Sequence, residues 1–305
     1  MTALPPQRRA ASSPASAVAR WLAAVIATAR PRQWPKNLLV LAAPLAAASQ
    51  GRDDGSGYAL VALAAFIAAS SAVYFVNDVA DAGRDRRHPV KSRRPVASGA
   101  LPAGQAVALA AVAAILALAS GLVIGAPWLS ATIAAYLAVS LAYTLALKHV
   151  PVIELACVAS GFVLRAVGGA AATHVSPSGW FLTVCSLGAL LVAVAKRRGE
   201  LAALGPDAAR HRPVMRWYRH QWLAVAAQLL AGAILAAYTM WAAGTGNSWR
   251  LTWDLASVVP LAAALARFGW LSVHAAARPV ENLIITDRIM LGAEAAWLTM
   301  FAMGW

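Results

Sequence analysis

The sequence predicts an all-α integral membrane protein, and three observations indicate that class. First, 60% of the 305 residues are hydrophobic, and the mean hydropathy is +0.63. Second, charged residues make up 12% of the chain, about half of the roughly 25% that is typical of soluble domains. Third, the apolar residues collect in long runs that could each cross a bilayer. Together these features argue against a water-soluble enzyme or binding domain.

Nine apolar runs are candidate transmembrane helices. A crossing helix needs roughly 20 apolar residues, because it rises about 1.5 Å per residue across a hydrocarbon core of about 30 Å. The runs do not alternate apolar and polar residues as barrel strands do, so helix is predicted for each of them. Breaks that contain glycine or proline separate them. The predicted spans are 36–50 (short), 59–80, 103–124, 127–147, 151–173, 179–196, 219–243, 251–273 and 284–303.

Basic residues predict the orientation of these spans. The net charge is +14. With the N-terminus in the cytoplasm, the basic residues of 84–94 and 196–219 fall in loops on that side, whereas Arg52 and Arg250 fall on the other. This asymmetry satisfies the positive-inside rule, and nine spans then place the C-terminus outside. Orientation thus accounts for the basic surplus, and no nucleic-acid partner is predicted.

The chain is predicted to be a single polytopic membrane domain over 19–305, preceded by a disordered cytoplasmic tail over 1–18 that is polar, small and proline-containing. A cleaved signal peptide does not fit, because the apolar stretch 21–29 is short and is followed by basic residues. A segment lying on the membrane surface is the alternative for that stretch. Cys157 and Cys185 lie in apolar runs without metal-ligand spacing, so no disulfide scaffold, zinc site or thiol chemistry is predicted.

The end of the second span carries a run of aspartates. At 100° per residue, Asp78, Asp81 and Asp85 fall within about 60° of one another on one helical face. Three such carboxylates repel one another and need positive compensation. One interpretation is surface pairing with the arginines at 84, 86 and 87. The other is a hard divalent cation, Mg²⁺, held by oxygen ligands, with Asn77 supplying an amide oxygen or a hydrogen bond.

A basic segment framed by prolines follows this acidic face over 84–95. A metal-binding face next to a rigid basic segment suits a phosphorylated substrate, because guanidinium groups bind the phosphate charge that the metal leaves. A loop that is basic for topology alone explains the arginines but not the adjoining aspartates.

The fifth span carries two ionisable residues, Glu154 and Arg165. They lie eleven residues apart, close to three turns, and so share a helix face. A charge deep in a membrane costs roughly 2.5–3.5 kcal/mol on insertion scales and usually faces a cavity or a partner. Arg165 could reach a lipid phosphate or hold the bundle together through a carboxylate elsewhere. Small residues on this span, Gly168 and Gly169 among them, predict close helix packing.

The motif formed by Asn77, Asp78, Asp81 and Asp85 resembles the first aspartate-rich motif of the UbiA superfamily of intramembrane prenyltransferases. This resemblance implies nine helices around a central cavity that opens to the cytoplasm and the lipid. Further segments are similar to the branch of that superfamily that makes decaprenylphosphoryl-5-phosphoribose. Those segments are 32–37 (RQWPKN), 92–99 (SRRPVASG), 147–154 (LKHVPVIE), 161–165 (GFVLR) and 196–200 (KRRGE).

The sequence departs from the aromatic prenyltransferases of the superfamily after the sixth span. Those proteins carry a second acidic motif there, whereas this chain has Lys196, Arg197 and Arg198 before Glu200. Three cations in place of a metal-binding cluster fit direct binding of phosphate. The resemblance therefore implies phosphoribosyl diphosphate as donor and decaprenyl or another polyprenyl phosphate as acceptor.

The resemblance also implies roles for individual residues. For Lys148 the alternative to such a role is that of an anchor that extends its charged end to the membrane surface. The expected catalytic residues are Asp78, Asp81, Arg94 and Lys148, and the expected Mg²⁺ ligands are Asn77, Asp78, Asp81 and Asp85. The residues expected to bind donor or lipid phosphates are Lys36, Asn77, Arg84, Lys91, Arg93, Tyr143, Arg165, Lys196, Arg197 and Arg288.

The expected activity is a Mg²⁺-dependent phosphoribosyl transfer that releases diphosphate and yields a precursor of cell-wall arabinan. The expected location is the cell membrane, with the N-terminus and the active site cytoplasmic, and self-association is compatible with the resemblance. One alternative is an aromatic prenyltransferase that uses a polyprenyl diphosphate. Another is a lipid-phosphate transporter, which would need polar residues along the full depth of several helices.

Overall fold

The structure is helical throughout the residues that it describes. This computed structural model describes residues 14–48, 56–244, 248–274, 283, 284 and 286–304, and those ranges contain no strand. The α-helices are α1 (Pro14–Ala29), α2 (Ala42–Ala48), α3 (Ser56–Asp85), α4 (Pro95–Ser98), α5 (Ala103–Val123), α6 (Pro127–Leu145), α7 (Ile153–Ala172), α8 (Gly179–Leu204), α9 (Ala208–His211), α10 (His220–Ala243), α11 (Ser248–His274) and α12 (Arg288–Met303). The 3₁₀ helices are Pro31–Leu41, Lys91–Arg93, Leu147–His149, Gly205–Asp207 and Pro213–Trp217. The predicted all-α class is confirmed.

Seven of these helices are long and apolar enough to cross a membrane, namely α3, α5, α6, α7, α8, α10 and α11. They coincide with the second to eighth predicted spans, and the chain is a multi-pass membrane protein. Helix α12 falls within the predicted ninth span. It has 16 residues, or about 24 Å of helix, which is shorter than a hydrocarbon core of about 30 Å.

The predicted first span, 36–50, is not one continuous α-helix. A 3₁₀ helix is followed by α2, which ends at Ala48, and residues 49–55 lie outside the described part of the chain. The first half of the span belongs to the 3₁₀ helix Pro31–Leu41, which contains Pro35. Proline lacks the backbone donor that an α-helix would use. The broken backbone packs closely on α7, where a Cβ added at Gly169 would overlap the carbonyl oxygen of Val40. Irregular backbone is tolerated at membrane depth when it is buried in protein in this way.

The close packing predicted for the fifth span is confirmed on a second side of α7. A Cβ added at Gly168 would overlap the ring of Phe66 in α3. Helices that follow one another along the chain pack side by side from α5 to α8 and from α10 to α12, and α3 also contacts α6 and α7. The broken first span contacts both α3 and α7. These contacts enclose a space among the first span, α3, α6, α7 and α8.

Helix α1 corrects the predicted boundary of the N-terminal tail. The tail was expected to run to residue 18, but the helix begins at Pro14, and residues 1–13 lie outside the described residues. One face of α1 buries Ala24 and Thr28 and packs against α3 and α4, whereas Leu22 and Ile26 on the other face are exposed.

The last helix is fastened at its first turn. Asp287 is the N-cap of α12 and accepts a hydrogen bond from the Met290 backbone N–H at 3.0 Å. Its two carboxylate oxygens also accept bonds from Arg267 of α11, at 3.0 and 2.8 Å. These bonds attach the start of α12 to α11.

Candidate active site

A cavity of about 960 Å³ lies among the first span, α3, α6, α7 and α8. Loop and helix-end residues line one end of it, namely His88, Lys91, Arg94, Lys148, His149, Ala203, Leu204, Arg212 and Pro213. Eleven of the fifteen predicted site residues line this cavity, although they come from distant parts of the chain. They are Lys36, Asn77, Asp81, Arg84, Asp85, Lys91, Arg94, Tyr143, Lys148, Arg165 and Lys196.

The acidic face of α3 is divided between the cavity and the protein interior. Asn77, Asp81 and Asp85 follow one another at intervals of four residues and line the cavity. Asp78 does not line it and is 2% exposed. It instead forms ion pairs with Arg30 and with Arg94, the latter at 3.5 Å. Of the three aspartates predicted to share a face, Asp81 and Asp85 therefore line the cavity, whereas Asp78 is bound to two arginines.

The positive compensation for these carboxylates comes mainly from residues distant in sequence. Arg94 Nη1 lies 2.8 Å from Asp85 Oδ2, and Lys148 Nζ lies 3.2 Å from Asp81 Oδ1. Arg84 also pairs with Asp81. The other two arginines proposed for surface pairing bond elsewhere among the described residues, since Nε of Arg86 and of Arg87 each donates to a backbone carbonyl.

The oxygen donors at the cavity fit a hard divalent ion by their chemistry. Asn77, Asp81 and Asp85 present an amide and two carboxylates from one helix face, the ligand types that Mg²⁺ accepts while keeping several positions for water or substrate. Within the described ranges, no group of three His, Cys, Asp or Glu side chains could hold a metal ion by itself. Ligands from water or substrate would have to complete the site.

Arg197 is not positioned for the phosphate contact that was expected of it. It is 1% exposed, and Nε and Nη2 donate to the two carboxylate oxygens of Glu154 at 2.6 and 2.5 Å. Nη1 donates to both oxygens of Glu200 at 2.8 Å. A buried arginine needs such partners because desolvation of its charge is costly. Its role is therefore to join α7 to α8 beside the cavity.

Arg93 and Arg288 are also absent from the lining of this cavity, as far as the described residues show. Arg93 lies in the 3₁₀ turn Lys91–Arg93, and the chain turns Arg94 rather than Arg93 towards the aspartates. Arg288 is the first residue of α12, whose N-terminus is bound to α11.

Arg165 lies deep in the cavity and is 6% exposed. Its Nε donates to Asn37 Oδ1 at 2.7 Å, Nη1 to the Gly161 carbonyl at 2.7 Å, and Nη2 to the Tyr136 hydroxyl at 3.0 Å. Although Glu154 and Arg165 share α7, they do not pair, because Glu154 is bound to Arg197. Arg165 thus lines the cavity and also bonds side chains of the first span and of α6.

Several cavity residues escaped the sequence analysis. Arg30 has a left-handed backbone with φ of 54° and pairs with Asp78. Arg212 lies in a loop 69 residues after Tyr143, and its Nη2 donates to the Tyr143 hydroxyl at 3.2 Å. His149 lies beside Lys148, and burial together with the Lys148 charge lowers its pKa. A strained backbone at Arg30 is a common sign of a functional site, but it is visible only in the fold.

Comparison with known proteins gives a consistent result. Residues 37–281 match the UbiA prenyltransferase family. The decaprenyl-phosphate phosphoribosyltransferase of Mycolicibacterium smegmatis is 35% identical over 290 residues, covering 90% of each chain. The protein of that name from Corynebacterium glutamicum is 35% identical over 288 residues, covering 92% of this chain and 86% of its own.

Solved structures share the fold at lower identity. A digeranylgeranylglyceryl phosphate synthase has a TM-score of 0.68 at 15% identity, covering 92% of this chain and 99% of its own. A UbiA homolog from Archaeoglobus fulgidus bound to DMAPP and Mg²⁺ has a TM-score of 0.62 at 13% identity, covering 92% and 97%. The helical arrangement described above is thus one that other membrane proteins adopt.

Proposed function

Since this chain belongs to the UbiA prenyltransferase family, we propose that it transfers the 5-phosphoribosyl group of phosphoribosyl diphosphate to decaprenyl phosphate or another polyprenyl phosphate. The products are diphosphate and polyprenylphosphoryl-5-phosphoribose, a precursor for cell-wall arabinan. The observation that carries this proposal is the cavity wall, in which one acidic helix face stands among many cations. The curated relatives that match nearly the whole chain bear the corresponding name.

The cavity residues supply positioning and charge stabilisation. Lys148, Arg84 and Arg94 bind the diphosphate of the donor at the end of the cavity where they meet the aspartates. The bond between the anomeric carbon and the diphosphate oxygen breaks, and a lipid-phosphate oxygen forms the new bond to that carbon. A phosphate monoester is already ionised near neutral pH, so a strong general base is not needed. Catalysis rests on orientation and on stabilisation of the departing charge.

Asn77, Asp81 and Asp85 would hold Mg²⁺, and Asp78 would act through Arg30 and Arg94. When bound, the ion supplies charge neutralisation of diphosphate oxygens. The side chains of this helix face keep their spacing because they project from consecutive turns of α3. Lys148 holds Asp81, and Arg94 holds Asp85, so both carboxylates stay oriented before the donor arrives.

The proposed topology has nine crossings of the cell membrane, with the N-terminus and the mouth of the cavity in the cytoplasm. The basic loops 84–94 and 196–219 support this orientation, because positive residues concentrate on the cytoplasmic side. In this arrangement the broken first span and α12 complete the crossings made by the seven long helices.

The test of the proposed function uses the full chain purified in detergent. Protein, Mg²⁺, phosphoribosyl diphosphate labelled in the ribose, and decaprenyl phosphate are mixed, and label is counted in the organic extract. We expect lipid-bound label that disappears without acceptor or after chelation of divalent ions. No lipid label, together with consumption of a prenyl diphosphate in the presence of a hydroxybenzoate, would refute the proposal in favour of aromatic prenyl transfer.

A further inference from the structure

Arg165 is the deepest cation of the cavity wall along α7. It lies twelve residues after Ile153, or about 18 Å along the helix from that end. The side chains that hold it are also buried, since Asn37 is 0% exposed and Tyr136 is 5% exposed. The guanidinium still lines the cavity. A cation at this depth lies far from the solvent that would otherwise stabilise its charge.

The described partners of Arg165 orient it without cancelling its charge. An amide oxygen, a backbone carbonyl and a phenol hydroxyl accept its three hydrogen bonds. The ring of Tyr136 lies 4.8 Å from the guanidinium carbon and that of Phe162 lies 5.8 Å from it. A guanidinium has five N–H groups, so these bonds leave capacity for a further acceptor.

Five other cations of the cavity wall have carboxylate partners. Arg30, Arg84, Arg94, Lys148 and Arg212 each lie within 4.0 Å of a carboxylate. No carboxylate of the described residues lies that close to Arg165. A buried charge is stable when an opposite charge pairs with it. The deep end of the cavity is therefore prepared for an anion that the described residues do not supply.

We propose that Arg165, oriented by Asn37 and Tyr136, binds the phosphate of the lipid acceptor, whereas the donor diphosphate binds at the opposite end of the cavity. This assignment rests on the proposed function. Displacement at the anomeric carbon requires the nucleophile and the leaving group on opposite sides of that carbon. With the diphosphate held beside Asp81 and Lys148, the attacking phosphate belongs on the side of Arg165.

Both the donor 5-phosphate and the lipid phosphate could bind a guanidinium, so the experiment has to distinguish them.

The decisive variant is Asn37→Asp. It keeps the shape of the side chain but gives Arg165 a carboxylate partner at the position where Nε now bonds an amide oxygen at 2.7 Å. The acceptor phosphate then competes with an internal anion. We expect the KM for polyprenyl phosphate to rise about tenfold, equivalent to about 1.4 kcal/mol. The affinity for phosphoribosyl diphosphate, measured by equilibrium binding of labelled donor, should stay unchanged.

Ser70→Ala is the matched control, because Ser70 Oγ accepts the second bond of Asn37, from Nδ2 at 3.2 Å, and carries no charge. This variant should leave both constants near the wild-type values. Weakened donor binding by Asn37→Asp with an unchanged acceptor KM would overturn the assignment, and so would no change in either constant. A wild-type protein that forms no phosphoribosyl lipid would refute the proposed function itself, which separates the two failures.

A second variant keeps the assignment testable where Asn37→Asp does not fold, as judged by size-exclusion chromatography. Tyr136→Phe removes one acceptor of Arg165 and no charge. A rise in the acceptor KM with unchanged donor binding supports the assignment. Unchanged acceptor kinetics, or a change confined to donor binding, contradicts it.

Discussion

At the scale of single residues, Arg94 shows how one side chain can connect the acidic helix to the substrate site. Its Nη1 lies between Asp78 and Asp85, at 3.5 and 2.8 Å, and the side chain lines the cavity. The variant Arg94→Gln leaves Asp78 and Asp85 without the cation that they share. It also removes a cation that binds the donor diphosphate. We expect kcat/KM to fall about a hundredfold or more, measured by steady-state transfer of labelled phosphoribosyl groups.

Arg87→Gln is the control for that experiment. Arg87 belongs to the same basic segment but is exposed, and its Nε donates to the Gly83 carbonyl. An equal loss in both variants would show that the basic segment acts through its overall charge, which would contradict the specific role of Arg94.

The buried pair of Glu154 and Arg197 leads to a prediction about stability. Glu154 is 0% exposed and bonds Arg197 through both oxygens. Glu154→Gln leaves a buried guanidinium with Glu200 as its remaining carboxylate partner, and loss of one member of a buried pair costs about 3–5 kcal/mol. Unfolding of the detergent-solubilised protein should show a loss of this size. Glu200→Gln, at the half-buried end of the same network, should cost much less.

At the scale of elements, the contact between the broken first span and α7 depends on Gly169. Gly169→Ala would place a methyl group against the carbonyl oxygen of Val40. The two segments must then separate, and overpacking of this kind costs typically 1–3 kcal/mol, so we expect about 3 kcal/mol of destabilisation because backbone has to move. Thermal unfolding measures the effect.

Gly188→Ala in α8 is the matched control for Gly169→Ala. A Cβ at Gly188 meets no atom within 4 Å. Alanine favours the helix over glycine by about 1 kcal/mol, so this variant should be neutral or slightly stabilising. Equal destabilisation by both variants would indicate that α7 and α8 tolerate no substitution of glycine, whatever the packing.

The start of α12 gives a prediction about stability. Asp287 accepts bonds from Arg267 and from the Met290 backbone N–H. Asp287→Asn removes the charge that pairs with Arg267, so we expect the Tm of the detergent-solubilised protein to fall. An unchanged Tm would show that this ion pair does not hold α12 to α11.

At the scale of the whole molecule, the proposed nine crossings place the two termini on opposite sides of the membrane. Fusions after Trp305 test this arrangement in a bacterial host. Alkaline phosphatase should be active at that position and green fluorescent protein should be dark, whereas fluorescent protein fused before Met1 should be bright. Fluorescence at both ends would indicate an even number of crossings, and either the broken first span or α12 would then not cross.

Much of the candidate site could be predicted from local sequence, because a helix converts spacing into direction. Periodicity predicts that Asp78, Asp81 and Asp85 share a face of α3, and two of the three, Asp81 and Asp85, line the cavity. Periodicity could not show that Asp78 turns to Arg30, since that contact joins residues 48 positions apart. Nor could it distinguish Arg93 from Arg94, because a turn of the chain decides which of two neighbouring arginines meets the aspartates.

The sequence by itself determined the membrane class, the second to eighth predicted spans, the basic asymmetry and the run of aspartates at the end of α3, since each depends on composition or on spacing within one segment. Tertiary structure decided which charges pair. It joined Arg197 to Glu154 and left Arg165 among neutral partners. The physical reason is that pairing of buried charges depends on distances of 3–4 Å between helices, and spacing along one helix does not fix those distances.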